Sequence, residues 1–209
     1  MRLCQIDWNI IVQIITALFT LIVGFIAIWG DRIRSRYSPL RLKIEPQNLK
    51  GELTTWYNGP NMGKVYYYHL KVVNKSNWQL AKHCRVLLSG MYKKDSKDSF
   101  VYTEFNALHP FEWTPAEDGK EYVDITDSHV FDFGRIYENV NSFKVATRRY
   151  PNNFKGILMP NETIRYCLKI DAVGFRQKKD QIFEVTWNGQ WSDDEEKMKY
   201  NVKIREVKD

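Results

Sequence analysis

The first apolar segment of the chain is long and continuous. It runs from Trp8 to Gly30, and the 23 residues between Asp7 and Asp31 carry no charge. At about 1.5 Å per residue, a helix of that length reaches about 34 Å, enough to cross the hydrocarbon core of a bilayer. The segment therefore predicts a transmembrane helix over about residues 8–30, with a tryptophan near each end as an interfacial anchor.

The helix is expected to continue through the basic segment that follows, as far as Tyr37. It should end at Ser38, because the residue before Pro39 disfavours the helical conformation. This divides the chain into an anchor, residues 1–37, and a domain, residues 38–209. A cleaved signal peptide is the alternative, but the apolar run is long for one and no small-residue cleavage site follows Ala27.

Beyond Pro39 the hydrophobic period changes from helical to two. Leu40, Leu42 and Ile44 alternate with basic residues, and alternation of this kind predicts a half-buried strand. Further strands are expected at residues 65–74, 84–90, 100–105, 130–136, 164–172, 182–187 and 201–205. Short strands without a long amphipathic helix between them predict a mainly β fold, an antiparallel immunoglobulin-like β-sandwich, with a single barrel as the alternative.

Two connections between these strands look long, residues 106–121 and 137–160, and long loops often hold binding residues. In the first, Phe111 and Trp113 are interpreted as closing one end of the sandwich, with a ligand-facing role as the alternative. Near the end of the chain, Ser192 and Glu195 have the spacing of a capping box. This predicts a short helix that closes the domain.

Two of the three cysteines fall within predicted strands. Cys84 shares the inward phase of Val86 and Leu88, whereas Cys167 falls outward with Arg165 and Lys169. The opposite phases argue against a disulfide between them. Free thiols indicate a reducing compartment.

The charge of the chain bears on its orientation. Basic residues exceed acidic ones by 31 to 25, and several of them, Arg32, Arg34 and Arg36 among them, follow the anchor closely. Because only Arg2 and the terminal amine precede it, the positive-inside rule predicts an inner (plasma) membrane protein with its β domain in the cytoplasm. Two glycosylation sequons, at Asn74 and Asn161, favour the opposite side.

Polar and small residues of the anchor lie on one face. Their spacings of 4, 3, 4, 4 and 3 confine them to an arc of roughly 60° on a helix, and three of them form a small-xxx-small series suited to close helix contact. We expect this face to associate with a second copy or with another membrane helix, the alternative being that such residues are incidental in an anchor. The face comprises Asn9, Gln13, Thr16, Thr20, Gly24 and Ala27.

A second group of basic residues lies at an expected hairpin turn in the domain, at Arg176, Lys178 and Lys179. Solvated turns commonly carry such residues. The functional interpretation is that they, together with Arg32, Arg34 and Arg36, contact anionic lipid headgroups or an acidic partner.

The motifs of catalysis and of metal binding are absent from the sequence. It has no CxxC pair, no histidine pair at ligand spacing and no GxSxG elbow. His69 and His83 fall on the outward phase of their predicted strands. Gly59 to Lys64 resembles a phosphate-binding loop, but its glycines are too close and Val65 replaces the required Ser or Thr, so it is interpreted as a hairpin turn. Four acids at 193–196 lack the spacing of a calcium loop. We expect no cofactor, no metal and no enzymatic activity.

Three segments, residues 81–90, 131–136 and 187–194, resemble those of a group of uncharacterised prokaryotic single-pass membrane proteins with a C-terminal immunoglobulin-like β-sandwich. The resemblance implies architecture and no activity. The resulting hypothesis is a membrane-tethered, non-catalytic protein-interaction module whose partners are membrane lipid and a protein, but not nucleic acid. The alternatives are an oligomerising membrane effector of stress or anti-phage defence acting through its helix, and an enzyme of unfamiliar type.

Overall fold

The structure is a computed structural model that describes residues 8–37, 39–58, 61–76, 78–95, 97–103, 108–115 and 119–207. The chain forms two compact units, Met1–Pro39 and Leu40–Asp209. We describe each unit by itself.

The first unit contains the helix α1, Trp8–Tyr37. Within it, Trp8–Gly30 spans 23 residues with a mean hydropathy of 2.6, and no part of the apolar stretch is buried in the structure. Among the described residues, α1 is the one helix long and apolar enough to cross a membrane, although a signal sequence has the same features. The predicted continuation of the helix to Tyr37 is confirmed.

The second unit is mainly β, and strands account for 56 % of the structure against 18 % for helices. Its short helix is α2, Glu195–Asn201. The strands in chain order are β1 Leu42–Asn58, β2 Asn61–Asn74, β3 Ala81–Lys94, β4 Phe100–Thr103, β5 His109–Pro110, β6 Glu112–Thr114, β7 Val123–Ile125, β8 Ser128–Tyr137, β9 Val140–Val145, β10 Ile157–Leu158, β11 Glu162–Ala172, β12 Phe175–Arg176, β13 Gln181–Trp187 and β14 Val202–Val207.

These strands form two antiparallel sheets. Sheet A has the order β1-β2-β8-β9-β10, with β6 also paired to β8, and sheet B has the order β14-β13-β11-β3-β4, with β5 and β7 on β3 and β12 on β11. The inner faces meet in one core, where the Phe133 ring of sheet A lies 5.9 Å from Tyr166 and 5.8 Å from Phe183 of sheet B. The predicted sandwich is confirmed over the barrel, while its immunoglobulin-like character stays a prediction.

All eight predicted strands are present, with shifted ends. The largest difference is β1, which continues past Pro46 to Asn58 through two irregularities in its register with β2. Gly51 has a φ of +84°, and a Cβ there would lie 2.9 Å from the Tyr68 ring, so only glycine suits this bend. Residues 104–105 of the fourth predicted strand and 59–60 of the predicted hairpin lie outside the described residues.

The two long connections are more ordered than the sequence indicated. The first contributes β5 and β6, and the second contributes β9 and β10. Phe111 and Trp113 are both buried in the core, which confirms their interpretation as core residues over a ligand-facing role.

The cysteines Cys84 and Cys167 are free, as predicted. Cys84 lies in the core, and burial, followed by nearby Asp124 and Asp171, raises the pKa of its thiol to about 12. Cys167 lies outside the core cluster, as its outward phase predicts, but it is only 6 % exposed. Cys167 pairs with Gly90, and the Tyr102 ring packs so closely over Gly90 that a Cβ there would lie 2.9 Å away. The aromatic cover buries the outer face of sheet B at this point.

The predicted closing helix is confirmed as α2, but its predicted cap is wrong. The N-cap is Asp194, whose carboxylate accepts a hydrogen bond from the Glu196 backbone N–H at 3.0 Å. Ser192 instead accepts from the Asp194 backbone N–H at 3.1 Å. An aspartate at the cap also suits the positive end of the helix dipole.

Candidate interaction surface

The outer face of sheet A carries a row of aromatic and charged side chains. Strand alternation sends Tyr66 and Tyr68 of β2 into the core, so Tyr67 and His69 point to the opposite face. On the neighbouring strand β8, Asp132 pairs with His69, and Arg135 pairs with Tyr67. Two strands thus place a histidine, a carboxylate, a guanidinium and a phenol on one surface.

His69 lies between two carboxylates. Its Nδ1 is 3.0 Å from an Asp132 oxygen and its Nε2 is 3.5 Å from a Glu52 oxygen. The hydroxyl of Thr114, on β6, donates to Asp132, and the rings of Tyr67 and His69 are stacked at 6.3 Å. Although the cluster lies on an outer face, the His69 side chain is only 12 % exposed.

Arg135 organises the adjacent part of the face. Its guanidinium lies 3.7 Å from a Glu112 carboxylate oxygen and 5.8 Å from the centre of the Tyr137 ring. Burial raises the pKa of Glu112, and the nearby Arg135 opposes that shift. Burial likewise raises the pKa of Tyr150, with Arg135 again acting against it. Glu112 and Tyr150 come from the two long connections, which therefore do contribute to one surface.

The far end of the β1–β2 hairpin is apolar and aromatic. Trp56 packs edge-on against Tyr137 with ring centres 5.2 Å apart, and a Cβ at Gly63 would lie 2.8 Å from the Trp56 ring nitrogen. Strand alternation places Tyr57 and Met62 on the other side of the hairpin from Trp56 and Tyr137. They are cross-strand partners and are 73 % and 67 % exposed. We call Trp56, Tyr57, Met62 and Tyr137 the hairpin patch.

The composition of the outer face of sheet A and of the hairpin patch indicates what they can bind. Tryptophan, tyrosine, methionine and arginine are the residues enriched in protein interfaces and in their energetic hot spots. Within the described part of the chain, no group of three or more His, Cys, Asp or Glu is arranged to hold a metal ion. The face offers stacking, hydrogen bonding and charge pairing to a polypeptide.

The predicted association face of α1 is largely exposed. Five of its six residues are exposed, and Gly24 is half-buried, with open space for at least 4 Å around the point where a Cβ would lie. The hydroxyls of Thr16 and Thr20 donate to the carbonyls of Val12 and Thr16 at 2.8 and 2.9 Å. The hydroxyls of Thr16 and Thr20 are therefore bonded within the helix itself.

The basic residues predicted to contact lipid or an acidic partner lie in three different structural environments. Arg32 lies over the Trp29 ring at 5.1 Å, and the side chains of Arg34 and Arg36 lie outside the described part of the structure. Arg176, on β12, lies opposite Asp171 in the backbone pairing of β12 with β11. Exposed Lys178 and Lys179 follow in a loop that Gln177 fixes by accepting from the Ile170 backbone N–H at 2.7 Å.

Sequence reasoning missed the cluster on sheet A. It placed His69 correctly on the outward side of its strand, but no short motif joins His69, Asp132 and Glu112, which are far apart in the chain. The available signal was the row of polar residues at outward positions, which any solvated strand face also shows.

Comparisons with models of known protein families, with curated proteins and with solved structures found no match.

Proposed function

We propose that the protein is a membrane-tethered, non-catalytic interaction module. The helix α1 holds the β domain at a bilayer, and a protein partner binds the hairpin patch and the adjoining outer face of sheet A. The partner is a polypeptide of unknown identity.

The observation that carries this proposal is the exposure of the hairpin patch. Tyr57 and Met62 are large apolar side chains that project from paired strands, well away from the core cluster. Exposed aromatic and methionine side chains of this kind are typical of surfaces that become buried in a complex.

The proposed location is the inner (plasma) membrane, with the domain in the cytoplasm. Two features support this side. Basic residues follow the apolar span at Arg32, Arg34 and Arg36, and Cys84 and Cys167 are free thiols, as is usual in a reducing compartment.

Photo-crosslinking in native membranes tests the proposed function. A benzoylphenylalanine at Tyr57 is expected to crosslink one reproducible partner, because this side chain lies within the proposed interface. The matched control is Tyr200, another tyrosine, which is 67 % exposed on α2. The products are separated by mass and identified by mass spectrometry.

The same partner should be lost when Trp56→Ala and Met62→Ser are combined with the probe at Tyr57, because these changes remove the apolar contact area. Equal crosslinking from positions 57 and 200, or a product that survives both substitutions, would count against the hairpin patch as the binding surface.

A second candidate function is an oligomerising membrane effector that acts through α1. The specific observation in its favour is the one-sided polar stripe, with space beside Gly24 for a neighbouring backbone. Its partner would be a second copy or another membrane helix.

A further inference from the structure

The chain enters the β domain at one of its ends, and we call this end the base. Only residues 38 and 39 separate the end of α1 at Tyr37 from the first residue of the domain unit, Leu40. The next residue is held to the domain by its backbone: the Arg41 carbonyl accepts from the Lys75 N–H at 2.8 Å, and the Arg41 N–H donates to the Ser76 hydroxyl at 2.9 Å.

Two connecting segments meet at the base and present apolar side chains. Leu80 precedes β3 and is 39 % exposed, and Val173 lies in the turn after β11 and is 59 % exposed. The Val173 N–H donates to the carbonyl of Lys82, two residues after Leu80, at 3.0 Å. The segment before Leu80 is fixed as well, because the Asn74 amide donates to the Gln79 carbonyl at 2.7 Å. These are apolar side chains on anchored loops.

Cationic side chains occur on the same strand ends and connecting segments. Arg41, Lys82 and Arg176 are exposed and make no ion pair within the described part of the chain. Of the carboxylates at this end, those of Asp171 and Glu121 are paired with Arg85. The Asp124 carboxylate accepts from the His83 N–H at 2.8 Å, and Asp127 lies between β7 and β8. The three cations outside ion pairs therefore exceed Asp124 and Asp127, the carboxylates here that are outside them.

We propose that the base is a second membrane contact, which docks against an anionic bilayer surface. Leu80 and Val173 enter the headgroup region, and Arg41, Lys82 and Arg176 contact lipid phosphates. This inference rests on the proposed function in one respect, that α1 crosses a bilayer.

The chemistry favours lipid as the occupant. Isolated apolar side chains between cationic ones suit the headgroup layer, which accepts both, whereas the aromatic hairpin patch is the more continuous apolar surface. Tethering by a link of two residues also keeps the base near the bilayer at high effective concentration, so that weak contacts suffice.

The test uses the full chain in nanodiscs of phosphatidylcholine with or without phosphatidylglycerol. Cys4→Ser removes the cysteine outside the domain, and an environment-sensitive fluorophore is attached at Leu80→Cys or Val173→Cys. The matched control is Met62→Cys, at the opposite end of β2. In discs with phosphatidylglycerol, headgroup-nitroxide lipids are expected to quench the labels at 80 and 173 several-fold more than the label at 62.

Lys82→Glu combined with Arg176→Glu should reduce quenching at 173 and leave quenching at 62 unchanged. Equal quenching at all three positions in a chain retained by the discs would overturn the docking inference and leave the anchor standing. A chain that does not enter the discs would overturn the anchor as well. Equal quenching with and without phosphatidylglycerol would overturn the role of the cations.

Discussion

At the scale of single residues, the outer face of sheet B shows how a buried charge is stabilised. Glu184 points away from the core, yet its side chain is only 8 % exposed. It accepts hydrogen bonds from Arg165 at 2.9 Å and from Arg205 at 2.8 Å. Burial raises the pKa of Glu184, but the hydrogen bonds from the two arginines outweigh it and hold the pKa below its usual value. The carboxylate thus stabilises the fold as an anion.

Glu184→Gln should lower the free energy of unfolding by about 1–3 kcal/mol at neutral pH, since it removes two charge-assisted hydrogen bonds. A lowered folded-state pKa contributes stability above the unfolded value of about 4.3, and this contribution is lost as the pH falls through the folded value. The difference between wild type and variant should therefore shrink below about pH 4. Urea unfolding across pH measures it.

The control for this prediction is Glu138→Gln, at an exposed position, which should change stability by less than about 0.5 kcal/mol. A loss at Glu184 that stays constant down to the lowest pH at which the domain folds would refute the assigned pKa direction.

Strand phase alone predicted some residue environments and failed for others. It correctly placed Cys84 inside and His69 on the outward side, because the period of two fixes the face of each side chain. It could not show that Cys167 and His69 are covered on that face. Tyr102 covers Cys167, and a cluster with Asp132 encloses His69. The covering residues are distant in sequence from the residues that they cover.

At the scale of elements, α1 has two distinct sides. Its polar and small stripe is opposed by large apolar residues that suit lipid, and this stripe is the basis of the effector hypothesis. The threonine hydroxyls already bond within the helix, so they would contribute small size rather than hydrogen bonds to a helix contact, as Gly24 does.

Asn9→Leu combined with Gln13→Leu is expected to weaken self-association of the full chain in membranes, because interhelical side-chain hydrogen bonds contribute about 0.6–2 kcal/mol each. The measurement is chemical crosslinking in native membranes by a reagent that does not form disulfides. The result is read as the ratio of dimer to monomer. Ion leakage on overexpression should fall in parallel if the protein is an effector.

The matched control for the helix is Val12→Leu with Ile15→Leu, which lie between stripe residues and keep the helix apolar. Oligomer ratios that are the same in wild type and in the stripe variant would exclude association through this face.

The elements also show why strand ends were harder to predict than strand existence. Pro46 and Gly51 interrupt the alternation in β1, and in the structure the strand continues through them as bulges. The short strands β5, β6 and β10 have too few residues to show a period. Their pairing to longer strands, rather than their own sequence, makes them strands.

At the scale of the whole molecule, the two sheets are joined along one side by side chains. The amide of Gln181, on β13, donates to the Ile44 carbonyl at 2.9 Å, and its oxygen accepts from the Ile44 N–H at 2.7 Å. Glu195 of α2 likewise accepts from the Leu53 N–H at 3.3 Å. These contacts occupy backbone groups along β1, which limits unwanted pairing with other strands.

The domain has its two proposed contacts at opposite ends. The base and the hairpin patch are separated by the length of β2, whose 14 residues rise about 43 Å. The sequence predicted the anchor and the sandwich, but this separation depends on strand pairing and became visible only in the structure.

The central claim is that α1 tethers the intact chain to a membrane. Flotation of native membranes after an alkaline carbonate wash tests it, with Leu18→Arg and Ile22→Arg as the matched variant, since each arginine near the helix centre costs about 2.5–3.5 kcal/mol of insertion. We predict that the full-length wild-type chain floats with the membranes and that the variant is extracted. Recovery of the wild-type β domain in the soluble fraction, or as a shortened chain that has lost residues 8–30, would contradict the account.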